Sequence, residues 1–389
     1  MLSQELMDWL RLVLTPEIGS RRGKSLLERF KTPKAILEAS FYDIAEVENV
    51  GRQAAKKIVE GRKKIDLDRQ VKLIEKDKLS LIPLDSADYP VSLKSIFDPP
   101  LVLFVKGEIL PQDYFSIAIV GTRLASFYGR TMAEKLSREL VEKGFTITSG
   151  GARGIDTFSH QAALKAKGRT LAVLGCGLNI AYPPENRRLF EKISERGALI
   201  SEFPLFTKPD KGNFPMRNRI ISGLSLGVAV IEAPHKSGAL ITVTHANEQG
   251  REVFSVPGHA DNFVSKGTNQ LLREGAKLVE NADDIIEELE PILENKIKEF
   301  KLIQPEPAKA KQTIIAPRLS EEEAAVYGLF SSGALDFDDI IAKSRLSVSA
   351  ASSALMALEL KKLVKQSINS WLSIILVDSL RNSLLYKIL

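Results

Sequence analysis

Arginines, glycines and small polar residues recur in this sequence directly after short apolar, β-branched runs, first in IAIVGTR and then in SGGARGID. Guanidinium groups bind phosphate oxygens through paired hydrogen bonds, and the backbone amides of glycine loops hold the same anion. The residues that such a face would collect are Gly121, Thr122, Arg123, Ser149, Gly150, Gly151, Arg153, Arg187, Arg217, Asn218 and Arg219. The pattern predicts a site for a phosphate-bearing ligand.

Phe190 is the aromatic residue nearest to this set in the sequence. It follows Arg187 by three residues, so both would share one face of a helix. A ring beside a phosphate clamp is how proteins hold single-stranded nucleic acid, and stacking contributes about 1–3 kcal/mol per base. A phenylalanine on a helix is equally often a core residue. The sequence leaves both interpretations open.

Groups suited to catalysis are few. The four histidines lack metal-ligand spacing. His160 follows Asp156 by four residues, a spacing at which the two would pair and orient the loop. Glu202 and Glu232 end predicted strands, but no acidic cluster indicates a metal nuclease. GxGxxG and GxxxxGK[ST] motifs are both missing, which argues against dinucleotide binding and a P-loop NTPase. We expect a binding protein without cofactor or metal, and not an enzyme.

Two other functions stay open. A Rossmann-like enzyme acting on nucleoside phosphates would use similar loops, although its PGGxGTxxE motif is absent and residues 234–242 are only distantly similar. Product formation from nucleoside monophosphates would favour it. A protein adaptor with an unused central pocket would use mainly the terminal modules. It predicts no binding of oligo-dT at low salt.

Between residue 116 and about residue 290, apolar runs alternate with helical patterns, which is typical of a doubly wound parallel sheet. We therefore predict an α/β fold with a doubly wound parallel sheet. Ligands in such folds bind beyond the carboxyl ends of strands, where the strand order reverses. The predicted strands are Leu79–Pro83, Leu101–Val105, Ser116–Val120, Phe145–Thr148, Thr170–Leu174, Ala198–Ser201, Gly227–Ile231 and Glu252–Val256.

The sequence predicts five segments. Residues 1–68 form a helical, SAM-like or helix-hairpin-helix domain, residues 69–290 the Rossmann-like domain and residues 291–318 an exposed linker. Residues 319–376 form a winged helix that opens with a capping box from Ser320 to Glu323, and residues 377–389 are a tail. The hairpin at Gly51 is either a phosphate contact or a plain helical hairpin. DNA and protein contacts both stay open for the winged helix.

The bulk properties favour a cytoplasmic protein. The chain has 389 residues, a net charge of +5 and a pI near 9.0, which mildly favours acidic partners. Its one cysteine, Cys176, lies in an apolar run and indicates an inert thiol in a reducing compartment. The N-terminus lacks a signal-peptide pattern, and no apolar run reaches the roughly 20 residues of a membrane span. We expect no membrane partner.

The motifs, in this order, resemble the DNA-processing protein A family, called DprA or Smf, of bacterial transformation and recombination. The resemblance is close over about residues 80–290, through VGTR, SGGARGID, LGCGLNIAYPPENRRL, NFPMRNRIISGL and GREVFSVPG. It implies an extended Rossmann fold that binds single-stranded DNA and no dinucleotide. It also implies a homodimer that protects incoming DNA and loads a RecA-type recombinase onto it. The family's pocket would fall on Gly121, Thr122, Arg123, Ser149–Gly151, Arg187, Phe190, Asn218 and Arg219.

The sequence departs from the family pattern in two places. Gly151 stands where the family usually has a larger apolar residue, so we expect a looser loop. In the winged helix, Lys361, Lys362 and Ser370 stand where glycines are common.

Overall fold

The computed structural model describes residues 2–303, 320–329, 336–344, 346–361, 364–366 and 371–373. The chain divides into two compact units, Met1–Leu289 and Glu290–Leu389. The first holds the Rossmann-like sheet and the N-terminal helices, and the second holds the winged helix.

A nine-stranded sheet organises the first unit, in the order β1-β2-β6-β5-β4-β3-β7-β8-β9. Strands β3 to β9 run parallel, whereas β1 and β2 add an antiparallel hairpin beside β6. The strands are β1 Ser80–Pro83, β2 Val102–Gly107, β3 Ser116–Val120, β4 Thr146–Ser149, β5 Thr170–Val173, β6 Ala198–Ser201, β7 Gly227–Val230, β8 Glu252–Ser255 and β9 Lys277–Leu278. The α/β fold class and the predicted strands are confirmed, and β9 was missed.

The chain order reverses between β3 and β7, which are neighbours in the sheet although three strands separate them in sequence. The loops after β3, β4 and β5 therefore open on one edge of the sheet beside this reversal. Helices on both faces cover strands that are buried throughout. These helices are α7 Val91–Lys94, α8 Phe127–Glu142, α9 Ile155–Lys165, α10 Arg187–Arg196, α11 Asn213–Gly223, α12 Gly238–Glu248 and α13 Lys266–Arg273.

Six helices precede the sheet and share a core with its antiparallel hairpin. Trp9, Leu10 and Ile74 pack in one apolar cluster with Phe104 of β2 and with Leu205, which follows β6. The boundary predicted at residue 68 therefore runs through a continuous core. The helices are α1 Gln4–Leu14, α2 Ser20–Phe30, α3 Pro33–Glu38, α4 Phe41–Ala45, α5 Gly51–Gly61 and α6 Asp68–Lys76.

The predicted linker begins inside a helix. Helix α14 spans Ala282–Ile303 and contains Pro291, so residues 291–303 of the predicted exposed linker are helical. The apolar periodicity of the sequence is lost from Pro291 onward, and a proline usually stops or kinks a helix. The sequence therefore gives no sign that the helix continues to residue 303. Residues 304–318 of the predicted linker lie outside the described residues.

The second unit has the winged-helix elements α15 Glu321–Leu329, α16 Phe337–Ser344, α17 Val348–Leu360, β10 Val364–Gln366 and β11 Trp371–Ser373. The capping box is confirmed: Ser320 N–H donates to Glu323 Oε2 at 2.7 Å, and Glu323 N–H donates to Ser320 Oγ at 3.1 Å. β10 and β11 pair antiparallel as a wing. The predicted tail, 377–389, lies outside the described residues.

Candidate nucleic-acid interface

The loop after β3 is held by hydrogen bonds to the end of β7 and to the start of α9. Thr122 N–H donates to Glu232 O at 2.7 Å, and Thr122 O accepts from Ile155 N–H at 3.2 Å. At Gly121 an added Cβ would lie 2.6 Å from Ile155 Cγ1 and 2.9 Å from Glu232 O. Only glycine allows that approach. Arg123 extends from this fixed loop into solvent.

The loop after β4 is tied down residue by residue. Ser149 is fully buried, and its hydroxyl donates to Ile119 O at 2.6 Å. Gly150 O accepts from Arg217 Nη1 at 2.6 Å. These bonds turn Ser149 and Arg217 toward the protein, so what the loop offers a ligand is its shape and its backbone.

Gly151 has a conformation and close contacts in this loop that favour glycine. Its φ is +67°, in the left-handed region that favours glycine. An added Cβ would lie 2.8 Å from Phe190 Cε1. Gly151 O also accepts from Asn186 Nδ2 at 3.0 Å.

Arg217 acts as an internal brace. It is 5% exposed and donates from Nη1 to Gly150 O and to Val173 O, thereby joining the ends of β4 and β5. Burial lowers the pKa of Arg217 to about 10, and the nearby Asp156 opposes that shift. The guanidinium therefore stays charged at neutral pH while its donors serve backbone carbonyls.

Arg219 and Asn218 are also used internally. The Arg219 guanidinium binds both carboxylate oxygens of Glu202, at 2.7 and 2.6 Å, and its Nε lies 3.2 Å from Asp98 Oδ2. Arg219 is 3% exposed and already faces two carboxylates. Asn218 Nδ2 donates to Gly238 O at 3.1 Å. In this structure the predicted phosphate contacts of Arg219 and Asn218 are replaced by contacts within the protein.

Phe190 lies in the core. It is 4% exposed and packs with Leu174, Leu189 and Ile193, so its ring has no free face for a base. Of the two interpretations left open, the structure shows the core residue. Its neighbour Arg187 begins α10 and is exposed.

A different pair of rings lines the cleft at this edge of the sheet. Tyr182 and Phe214 stack with their centroids 5.5 Å apart at 29°. The Arg123 guanidinium lies 5.5 Å from the Phe214 centroid. The cleft is lined by Arg123, Gly150, Ala152, Arg153, Gly175, Tyr182, Pro183, Phe214 and Arg217. Sequence reasoning missed both rings, although each stands beside a proline in the sequence, Tyr182 in AYPP before α10 and Phe214 in NFP at the start of α11.

The accessible cations of the cleft are Arg123 and Arg153. Arg123 makes no ion pair among the described residues, and Arg153 pairs with the exposed carboxylate of Glu185. An exposed ion pair contributes little to stability, so Glu185 holds Arg153 only weakly. Glu185 also raises the pKa of Arg153 through their hydrogen bond.

The groups suited to catalysis have structural partners. Glu232 is 1% exposed and accepts from Ser126 N–H at 2.9 Å and from Ser126 Oγ at the start of α8. His160 bonds to Thr170 Oγ1 at 2.7 Å, so its predicted pairing with Asp156 is wrong. Burial raises the pKa of the Cys176 thiol to about 11. The described residues contain no group of His, Cys, Asp and Glu arranged to hold a metal.

The described helices also include none with the length and hydropathy to cross a bilayer.

Comparison with known proteins agrees with this fold. The family described as DNA recombination-mediator protein A matches residues 80–290, and the DprA winged helix domain matches residues 305–367. The chain belongs to the DprA family. DNA processing protein DprA of Bacillus subtilis is 47% identical over 224 residues, which cover 57% of this chain and 75% of that protein.

Two solved DprA structures extend the comparison. The X-ray structure of DNA processing protein A from Streptococcus pneumoniae is 35% identical, with a TM-score of 0.65, covering 72% of this chain and 97% of that one. The Helicobacter pylori DprA structure is 30% identical, with a TM-score of 0.50, covering 55% and 97%. Its description concerns a unique single-stranded DNA binding mode.

Proposed function

We propose that this protein binds single-stranded DNA in the cleft lined by Arg123, Tyr182 and Phe214. The observation that carries the proposal is the exposed guanidinium of Arg123 beside two stacked rings. Single-strand sites combine cations for the backbone with aromatic faces for the bases. The similar protein from Helicobacter pylori binds single-stranded DNA, which supports the same ligand for this chain.

The ordered loops would make this site ready for its ligand. The β3 and β4 loops are fixed by bonds from Thr122, Ser149, Arg217 and Asn186 before any ligand arrives. A preformed site loses less conformational entropy on binding than a flexible one. In our proposal Arg123 and Arg153 hold phosphates, and Phe214 and Tyr182 stack with bases.

A binding role fits the chemistry better than catalysis. Glu202 accepts hydrogen bonds from Arg219, Glu232 accepts a hydrogen bond from Ser126 at the start of α8, and His160 is hydrogen-bonded to Thr170. A nucleotide-processing enzyme would need at least one such group free toward the cleft. We therefore propose that the protein needs no cofactor and catalyses no step.

Two variants test the DNA site. Arg123→Ala should weaken binding of oligo-dT and lower its salt slope by about 0.7, the share of one cation on a single strand. Phe214→Ala should remove about 1–3 kcal/mol of stacking, a loss of roughly 5- to 150-fold in affinity. Fluorescence anisotropy at two salt concentrations measures both quantities.

The controls are Arg138→Ala and Phe190→Leu. Arg138 is an exposed cation on α8, so its loss should leave the affinity within twofold. Phe190→Leu should lower thermal stability without comparable loss of affinity. Affinities of Arg123→Ala and Phe214→Ala that match wild type would exclude this cleft as the site.

Family membership supports a wider role. We propose that the protein is a cytoplasmic homodimer that protects incoming DNA and loads a RecA-type recombinase during transformation or recombination. Sedimentation equilibrium would test the dimer. Recombinase filament assembly on DNA coated with single-strand-binding protein, with and without this protein, would test loading. An unchanged assembly rate would exclude that role.

A further inference from the structure

A second concave surface lies beside the cleft, between α9 and α10. This α9–α10 groove has a volume of about 690 Å³. Leu164 and Leu189 contribute apolar lining, and its charged groups are mainly cations. Exposed lysines and arginines usually form only a solvated face. The spacing of these cations and their ion-pair partners decide whether the groove is instead a binding surface for an anion.

Three of the cations form one row. Arg188, Lys192 and Arg196 follow one another at four-residue steps, so they lie along one side of α10. All three are exposed and line the groove. Over eight residues a helix rises about 12 Å, and phosphates of a stacked strand are about 3.4 Å apart along its axis. The row therefore spans roughly three to four phosphates.

The opposite wall adds Lys165 and Lys167, at the end of α9. None of the five cations forms an ion pair with another described residue. The groove has two carboxylates, Glu185 and Glu195, and Glu185 is already paired with Arg153. Its surface therefore has uncompensated positive charge, which attracts a polyanion.

The groove and the cleft adjoin. Glu185 lines the groove and pairs with Arg153, which lines the cleft. Asn186 also lines the groove and donates to Gly151 O in the β4 loop. The Arg153–Glu185 pair therefore lies at the border between the cleft and the groove.

We propose that the α9–α10 groove binds the backbone of the single strand as it leaves the cleft. This proposal rests on the proposed function, because it assigns a second segment of the same ligand. The cleft holds bases through its rings, whereas the groove holds three to four phosphates through the α10 row. Binding should therefore gain affinity with strand length beyond what the cleft itself contacts.

Oligonucleotides of two lengths separate the sites. The triple variant Arg188→Gln, Lys192→Gln, Arg196→Gln should bind (dT)6 within twofold of wild type, because the cleft is intact. With (dT)20 its salt slope should fall by about 2, since each cation on a single strand accounts for about 0.7. Its (dT)20 affinity at 50 mM salt should fall at least tenfold.

The matched control removes three exposed cations elsewhere: Lys72→Gln, Lys94→Gln and Arg138→Gln. It should retain the (dT)20 affinity and slope, and both triples should retain the wild-type thermal midpoint. An unchanged (dT)20 slope in the groove triple, or an equal loss in the control triple, would overturn the proposal. So would an equal loss of affinity for a 20-base-pair duplex, because the groove would then be a general basic surface.

The same measurements distinguish an error in the proposed cleft site from an error in the groove proposal. If Arg123→Ala binds (dT)6 like wild type while the groove triple loses (dT)20, the proposed cleft is wrong and the groove alone is supported. If only Arg123→Ala loses affinity, the cleft stands and the groove proposal is overturned.

Discussion

At the scale of single residues, the predicted phosphate-binding arginines differ in burial. Arg217 and Arg219 are 5% and 3% exposed and bind carbonyls or carboxylates of the protein, whereas Arg123 is exposed beside Phe214. A buried guanidinium must satisfy its donors internally, because an unpaired buried charge is costly. Arg217 and Arg219 therefore stabilise the scaffold, whereas Arg123 is exposed to solvent.

His160 makes a pH-dependent contribution at the same scale. Thr170 Oγ1 donates its hydrogen to Ile147 O at 2.7 Å, so it accepts from His160 Nδ1–H, and the ring is neutral. His160 Nε2 is buried without a hydrogen-bond partner among the described residues. Burial, with a smaller effect of Arg217, lowers the pKa of His160 to about 3 from 6.5.

This lowered pKa predicts acid sensitivity. The unfolded chain takes up a proton near pH 6.5 and the folded chain does not, so stability is full above pH 6.5 and falls as the pH drops below it. Between pH 7.5 and 5.5 His160 should account for about 1 kcal/mol of lost stability. Urea unfolding of wild type and His160→Gln at both pH values measures it. Equal pH dependence in the two proteins would contradict the assignment.

At the scale of elements, strands were the most predictable feature. Short, fully buried and mostly apolar runs such as Ser116–Val120 and Ala198–Ser201 have recognisable lengths and boundaries. The two-residue strand β9 is too short to leave a pattern. Helix α14 continues through Pro291 against the usual effect of proline.

The candidate site was predictable only in part. Sequence places the β3 and β4 loops at one edge because parallel strands end together. It could not show that Phe190 packs beneath Gly151, or that Tyr182 stacks on Phe214. Such contacts join residues about 30 or more positions apart, and their distances follow from the whole fold. His160 was assigned to Asp156 because helical spacing is visible in a sequence and contact with a strand is not.

The β4 loop gives a prediction at this scale. Gly151→Ala should lower the free energy of unfolding by about 2 kcal/mol or more. The left-handed conformation costs a side chain about 1–2 kcal/mol, and Phe190 must also move. Chemical denaturation measures the loss, and Gly151→Ala with Phe190→Leu should recover the part due to the ring.

Gly238→Ala is the matched control for that substitution. Gly238 begins α12, and an added Cβ meets nothing within 4 Å. It should be neutral or slightly stabilising. A Gly151→Ala protein as stable as the Gly238→Ala protein would show that the loop accepts a side chain.

At the scale of the whole molecule, the two compact units divide at residues 289–290, next to the predicted boundary at 290, and no division falls at the predicted boundary at 68. Helices α1 to α6 belong to the first unit, Met1–Leu289, and bury Phe104 and Val102 of β2. Without these helices, the apolar side chains of Val102 and Phe104 would be exposed to solvent. The winged helix has a separate core around Val326, Ile340 and Leu355.

Two deletions should therefore behave differently. A chain of residues 1–303 keeps the first unit and all of α14, so its main thermal transition should stay within about 2 °C of the full-length protein. A chain of residues 69–303 exposes the hairpin core and should aggregate or melt at least 10 °C lower. Calorimetry and light scattering measure both. A well-folded 69–303 protein with an unchanged transition would contradict a shared core.

The shared core also has a consequence for synthesis on the ribosome. Its N-terminal half is complete once Ile74 is made, but Leu205, part of the same cluster, follows roughly 130 residues later. At about 5–20 residues per second, that interval lasts roughly 7–26 s. The first six helices therefore emerge with an unfinished apolar face, which stays partly exposed until β6 and the segment after it have been translated.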